Sequence, residues 1–308
     1  MKTTLVGCTG FVGSNLAASH GFTYQYHSTD IQQAMTKEHD LVVYAGVRAE
    51  KFLANERPQQ DRAMIHQAFD TLVRMKPKKV VLISTIDVYA KPNGADENAP
   101  MTLEGLQAYG RNRLELEELV RGRFDSLIVR LPALFGKGLK KNFLFDAITL
   151  VPSMLKPDKY EELAQKSDLV ARSYALADNG YYRLSVEEKE QRRALREFFR
   201  TNDWNALYFT DSRNVYQFYD LSRLWDDIRT ALQEEIPVLN LTSEPLCAAD
   251  LYEACFDGSF TNVTEKEPVR YDLRSCYADR YGGQRGYTVS KEETLRRIRR
   301  FVEDHVET

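Results

Sequence analysis

Five short apolar runs punctuate the first half of the chain, at Thr3–Val6, 23–27, 41–45, 80–84 and 127–131, each of strand length. The segments between the last three have another rhythm. Across 61–75, apolar side chains fall at Met64, Ile65, Ala68, Phe69, Leu72 and Val73, the spacing of one helix face. A looser version spans 106–120, with Leu106, Tyr109, Leu114, Leu116, Leu119 and Val120. Strand–helix alternation with short joints predicts an α/β protein built on a doubly wound parallel sheet, covered on both faces.

The texture changes after Pro132. Residues 156–200 are rich in charge and read as helix with short breaks, 187–200 among them, in a stretch too long for a loop. Tyr174, Tyr181 and Tyr182 surround Asp178-Asn179-Gly180 there, and a lid or an oligomer contact are both open readings. A second strand–helix pair follows at 237–241 and 248–256. Ser290 with Glu293 forms a capping-box pattern that predicts a helix to Val306. The expected organisation is a first domain at 1–136 with returning segments near 205–245. A smaller mixed α/β substrate region is expected from 137–204 and 246–308, with a helical insert at 156–200.

Composition narrows the class without changing this picture. With 308 residues, 43% hydrophobic and 28% charged, the chain is an ordinary globular one, neither disordered nor low in complexity. A net charge of −3 argues against nucleic-acid or anionic-membrane partners. The arginines of 296–300 alternate with Ile298 and Phe301, which marks an amphipathic helix before a nucleic-acid patch. No apolar stretch reaches spanning length, and the N-terminus runs straight into a strand pattern. Cys8, Cys247, Cys255 and Cys276 are sparse and unpaired in spacing, so free thiols and a cytoplasmic setting are expected. The five histidines show no metal-ligand spacing, and no metal is expected.

The chemistry starts at Gly7-Cys8-Thr9-Gly10-Phe11-Val12-Gly13, between the first strand and a helix. Glycines at this spacing permit a tight turn and a close backbone approach to a pyrophosphate, which then faces the positive helix end. The expected fold is therefore Rossmann-type, and the expected ligand is NAD or NADP. An acidic residue at the end of the second strand selects NAD by binding its ribose. That strand ends in Ser28-Thr29-Asp30. Ser28 at the strand end tolerates NADP, Asp30 folding back favours NAD, and Ser28 and Thr29 as helix caps favour neither.

Further on, Ser84-Thr85-Ile86-Asp87-Val88-Tyr89 closes the fourth strand, and Tyr109-Gly110-Arg111-Asn112-Arg113 lies on the next helix. Arg130-Leu131-Pro132-Ala133-Leu134-Phe135-Gly136 closes the fifth strand. Together with the glycine loop, these stretches resemble the extended short-chain dehydrogenase/reductases of the NAD-dependent epimerase/dehydratase branch, which act mostly on nucleotide sugars. The resemblance is strong to Gly136 and looser after it. It implies Tyr109 as acid/base, Thr85 as its hydroxyl partner and a homodimer packed through first-domain helices. It implies cofactor contacts from Gly7, Thr9, Gly10, Phe11, Val12, Gly13, Ala45, Gly46, Tyr109, Arg113, Leu131 and Pro132. It also implies substrate contacts from Asn142, Arg213 and, more loosely, Arg270.

The physical reading stands beside it. A phenol with an ordinary pKa near ~10 needs a nearby cation and a hydrogen-bond partner to exchange protons at neutral pH. Arg113, one turn from Tyr109, stands where the family has lysine; its planar fork is not a point-like ammonium, so different ribose contacts are open. It keeps the charge that would depress the phenol. Asp87 stands two residues after the threonine, where dehydratases carry a glutamate, and equally reads as a cap of the turn towards Gly94. Ile86 stands where many dehydratases carry an aspartate, so a full dehydration apparatus is not expected. Two functions follow. One is an NAD(P)-dependent nucleotide-sugar reductase or epimerase. The other is a catalytically altered dinucleotide-binding regulatory or partner protein on the same fold.

Overall fold

The computed structural model describes residues 1–177, 179–186 and 188–306. They form two compact units, the first from Met1–Gly138, Val215–Leu246 and Arg270–Arg296, the second from Leu139–Asn214, Cys247–Val269 and Arg297–Thr308.

The first unit is built on β1 (Thr3–Val6), β2 (Tyr24–Tyr26), β3 (Leu41–Tyr44), β4 (Lys79–Thr85), β5 (Asp125–Leu131) and a late strand, Val238–Asn240. All pairings are parallel, in the order late strand-β5-β4-β3-β1-β2. The chain moves outward from β1 to β2, then returns through the 3-10 turn Ile31–Thr36 to place β3 on the other side of β1. That reversal is a topological switch point, and open α/β sheets bind ligands at the carboxyl ends of the strands beside it.

The sheet's apolar runs serve two layers at once, because successive side chains point to opposite faces. Leu5, Val43, Val81 and Val129 pack with Leu16 of α1 (Phe11–Ser19) and with Leu224 and Ile228. Val42, Val80, Leu82 and Ile128 pack against Ile65 and Leu72 of α3 (Pro58–Met75) and Leu116 and Val120 of α4 (Ala108–Arg123). Each fully buried aliphatic side chain contributes about 1.5–3 kcal/mol. Between β3 and α3 lies the short helix α2 (Lys51–Glu56). Arg130 and Glu117 fasten β5 to α4 through a fully buried pair, Nη2 to Oε2 at 2.6 Å, with Tyr89 accepting from Nη1 at 2.7 Å.

Residues 270–296, expected with the substrate region, belong to the first unit. The Leu273 N–H donates to Gln217 and the Ser275 hydroxyl donates to Glu97, bonds that tie the segment to side chains of that unit. Conversely, residues 205–214 belong to the second unit rather than returning with the first.

The 156–200 insert is not purely helical. Helices Pro157–Lys166 and Asp168–Ser173 are followed by strands Tyr174–Leu176 and Tyr182–Leu184, which pair antiparallel, and then by helix Lys189–Thr201. Gly180, at φ +79°, supplies the left-handed turn residue that closes the hairpin, a signal stronger than the surrounding charge pattern. Met154–Leu155 adds a third strand. Leu155, Leu163, Val170, Tyr174, Leu195 and Phe199 make this region's own core. Asp178 and Glu187, part of the expected turn and helix, lie outside the described residues. At the C-terminus the Glu293 N–H donates to Ser290 Oγ at 3.2 Å, capping helix Lys291–Val306. Among the described residues, no helix is long and apolar enough to cross a membrane.

Candidate functional site

The glycine loop follows β1 at the switch point. Gly7 has φ +89°, and a Cβ there would lie 2.6 Å from the Ala45 carbonyl oxygen at the end of β3. A Cβ on Gly13 would lie 2.0 Å from the Gly7 oxygen, so only glycine lets α1 pack this tightly on the loop. The helix's first backbone bond runs from the Ser14 N–H to the Gly10 oxygen at 2.8 Å. The amides of Phe11, Val12 and Gly13 therefore have no intrahelical acceptor and face the crevice's end of the helix. Phe11 and Val12 turn their side chains onto the core, while Thr9 and Gly10 are exposed. Ala45 donates to the Val6 oxygen at 2.9 Å, and Gly46 packs between Tyr44 and Val6. The residues present fit a pyrophosphate-bearing ligand: Gly7 and Gly13 pack too closely on backbone to carry a Cβ, and the helix-start amides are left as donors for an anion.

β2 ends at Tyr26, two residues before Ser28. The Asp30 carboxylate turns back to accept the His27 N–H at 2.7 Å, and its other oxygen lies 3.3 Å from His27 Nε2. This bond occupies a donor that would otherwise extend the strand, so Ser28 stands exposed in a turn. Neither Ser28 nor Thr29 caps a helix: Asp30 precedes the 3-10 turn, and Thr29 Oγ1 bonds His27 Nδ1 at 2.9 Å. The Asp30 charge reaches the glycine loop, where it and burial, the larger cause, hold the Cys8 thiol above its ordinary range.

Thr85 ends β4 in register with Leu131 of β5, and Pro132 follows. Its Oγ1 accepts the Asp87 N–H at 3.2 Å and caps the 3-10 turn Ile86–Val88. Gly110 allows α4 to press on this turn, since a Cβ there would lie 2.0 Å from the Asp87 oxygen. Tyr109 is thereby buried beside the strand end that carries Thr85, and its own N–H donates to Asn55 at 2.9 Å.

Arg113 departs from expectation. Its guanidinium carbon lies 4.5 Å from the centre of the Tyr109 ring, over its face. Both forks are engaged: Nη1 donates to Asp61 at 3.0 Å, and Nη2 to Asp61 at 3.1 Å and to the Arg48 oxygen at 2.7 Å. The pair is almost wholly buried, at 5% and 4% side-chain exposure. Burial raises the Tyr109 phenol above its ordinary value, and the opposing pull of Arg113 does not reverse it.

Asp87 does not cap the turn towards Gly94. It accepts the Lys51 ammonium at 2.8 Å and the Tyr271 hydroxyl at 3.1 Å, and Lys51 lies 3.3 Å from that same hydroxyl. Lys51, Tyr271, Asp61 and Asn55 were not singled out in the sequence. Lys51 and Asn55 sit on a six-residue helix with no periodic signal, and Tyr271 arrives from a distant segment. Gly110, directly after Tyr109, was the readable sign of close packing there.

Asn142 and Arg213 lie in the second unit and Arg270 in the first. Asn142 holds φ +119° and ψ 175°, backbone space that favours glycine, while its side chain caps helix Phe143–Thr149 by accepting the Phe145 N–H at 3.1 Å. Arg213 is half-exposed and grips Asp211 through Nε at 2.9 Å and Nη2 at 2.8 Å. The Arg213 hydrogen bonds hold the Asp211 carboxyl well below the usual range. Arg270 is exposed, and its backbone bridges Val215.

No protein-family model matches the sequence, and a search of the curated proteins finds no match. Solved structures do match the fold. The Bordetella bronchiseptica enzyme WbmG, in complex with NAD and UDP, aligns at TM-score 0.65 and 14% identity over 100% of this chain and 96% of its own. A dTDP-4-dehydrorhamnose reductase from Bacillus anthracis, in complex with NADP, aligns at TM-score 0.63 and 13% identity, covering 99% of both chains. The UDP-glucose 4-epimerase of Thermotoga maritima, with UDP-glucose, aligns at 0.61 and 12%, again over 99% of both. The chain has the Rossmann-type α/β fold of these nucleotide-sugar reductases and epimerases.

Proposed function

We propose that the chain is an NAD(P)-dependent oxidoreductase or epimerase acting on a nucleotide-activated sugar. The observation that carries this reading is one juxtaposition. A glycine loop with free helix-start amides lies at the carboxyl edge of one parallel sheet, where Thr85 also ends β4 and α4 buries Tyr109. Gly7, Gly10 and Gly13 with the amides of Phe11 and Val12 would hold the dinucleotide, beside Thr9, Ala45, Gly46, Leu131 and Pro132. The bound nicotinamide supplies or accepts the hydride. Asp30, folded back onto the His27 N–H just past β2, would accept from ribose hydroxyls and repel a 2′-phosphate, which favours NAD.

Tyr109 exchanges the proton at the sugar oxygen, and the Thr85 hydroxyl orients that oxygen. Burial keeps the phenol protonated at neutral pH, so it stands ready as the acid that a carbonyl reduction requires. Asn142, Arg213 and Arg270 are the candidates for the nucleotide-sugar phosphates, with Asp211 already compensating part of the Arg213 charge. A homodimer through α3 and α4 belongs to the same reading, supported by exposed Leu103 beside a cleft of about 400 Å³ lined by Pro58, Arg62, Arg111 and Glu115.

The test is turnover of keto-sugar nucleotides by wild type and Tyr109→Phe. The reading expects the variant to bind cofactor and lose at least about a hundredfold in kcat, the scale of one positioned acid. Stoichiometric cofactor consumption identifies a reductase and recycling an epimerase. Undiminished turnover in Tyr109→Phe would remove the catalytic assignment. The second reading, a regulatory protein without turnover, draws on the locked state of Arg113. It expects cofactor binding with no reaction in either form.

A further inference from the structure

The acid that would choose between NAD and NADP does not stand alone. β2 ends at Tyr26, whose carbonyl oxygen accepts the Gly7 N–H at 2.7 Å and the Cys8 N–H at 3.2 Å. The next residue, His27, therefore follows directly on the backbone that anchors the glycine loop. From there the chain makes one turn, with the Asp30 N–H donated to the His27 oxygen at 3.3 Å and the Ile31 N–H at 3.1 Å. That turn brings the Asp30 carboxylate onto His27 at both oxygens. Oδ1 accepts the His27 N–H at 2.7 Å, and Oδ2 lies 3.3 Å from Nε2 of the ring.

The far side of the ring decides which nitrogen carries its proton. The Thr29 N–H donates to Nδ1 at 3.4 Å, and the Thr29 hydroxyl lies 2.9 Å from the same atom. A backbone N–H can only donate, so Nδ1 is an acceptor and the ring N–H belongs to Nε2, on the side of Asp30. Any residue at 27 could make the backbone contact to Oδ1. The contact to Oδ2 needs a side chain with a donor at that reach. His27 is thus a strut between Thr29 and Asp30 that restrains rotation of the carboxylate. Both side chains stay open to a ligand, at 38% and 29% exposure. An ionised carboxylate offers about four acceptor positions. His27 fills one on each oxygen and leaves one on each, two neighbouring acceptors that suit two adjacent hydroxyls.

We propose that His27 is a specificity-determining residue for the cofactor, its ring holding Asp30 in the orientation that accepts the adenosine ribose diol. The proposal rests on the reading of the glycine loop as a dinucleotide cradle. His27 is a positioning residue and acts through Asp30. Without the strut, the ligand itself would have to order the carboxylate, and the lost rotational freedom would lower affinity for the diol. A 2′-phosphate gains little from the strut, because like charge repels it in either orientation of Asp30. Removing the ring therefore weakens NAD more than NADP.

The test is fluorescence titration of the full chain with NADH and with NADPH, at one pH and ionic strength, with circular dichroism to confirm folding. The proteins are wild type, His27→Ala, His27→Gln, Asp30→Ala and the double variant. His27→Ala is expected to weaken NADH roughly three- to tenfold, the scale of one hydrogen bond, and NADPH by less than about twofold. His27→Gln, whose side-chain amide can donate from a similar reach, is expected to restore most of the NADH affinity. Asp30→Ala is expected to lose the preference for NADH, and adding His27→Ala to it should change nothing further. A wild-type ratio of NADH to NADPH affinity in His27→Ala overturns the proposal. So does an equal loss from His27→Ala in the Asp30→Ala background, which would put the ring on the ligand itself. Failure of the underlying reading looks different: wild type then binds neither dinucleotide, and the proposal falls with it.

Discussion

At Gly13 a single hydrogen stands where any other residue would carry a carbon, and the Gly7 oxygen is its neighbour. Gly10 is less demanding, since its Cβ would meet the same oxygen only at 3.3 Å. Gly13→Ala is therefore expected to weaken dinucleotide binding at least about tenfold, the worth of ~1.4 kcal/mol, while Gly10→Ala weakens it less. Fluorescence titration of both variants with NADH checks this, and equal affinities would contradict the cradle geometry. At this scale the sequence was informative where a residue type has few alternative uses. The glycines were legible because close backbone approach constrains them, and the apolar pattern placed Thr85 at a strand end and Tyr109 on the next helix. The Arg113 partner was not, because Asp61 is one of several acids on a polar helix face and nothing in its spacing marks it as buried. The turn of Asp30 back to His27 likewise depends on a local hydrogen bond that alternation of strands and helices does not encode.

Among the elements, the helix Phe143–Thr149 carries a pH-dependent penalty. Burial pushes the Asp146 carboxyl up to about 7. The folded chain therefore holds a proton that the unfolded chain releases between about pH 4 and 7, and stability falls as pH rises through that window. Asp146→Asn removes the titration. Its melting temperature is expected to gain on wild type as pH goes from 5 to 8, by the equivalent of roughly 2–4 kcal/mol. A gap that stays constant between the two pH values would refute the buried-acid account. Element types were readable wherever a long apolar period ran, as in α3 and the five early strands. The hairpin at Tyr174–Leu184 was hidden because its strands are three residues each and flanked by charge, leaving Asn179-Gly180 as its one signal.

For the molecule as a whole, the order of the strands decides where chemistry can occur. The reversal between β2 and β3 opens the sheet beside β1, and the glycine loop, Ala45, Thr85 and Leu131 all fall at its carboxyl edge. The strand–helix alternation predicted the sheet, and the late strand Val238–Asn240 completes it beside β5. What remained out of reach was which distant segment returns to which unit. Residues 270–296 return to the first through hydrogen bonds, buried at Gln217 and partly buried at Glu97 and Asn240, and such pairings leave no periodic trace. The switch point is where a nicotinamide dinucleotide is proposed to bind. The most direct measurement is a fluorescence titration of the purified wild-type protein with NADH and with NADPH. Saturable binding of NADH, tighter than that of NADPH because of Asp30, is the predicted result. Binding of neither, with no dinucleotide released on denaturation, would contradict it.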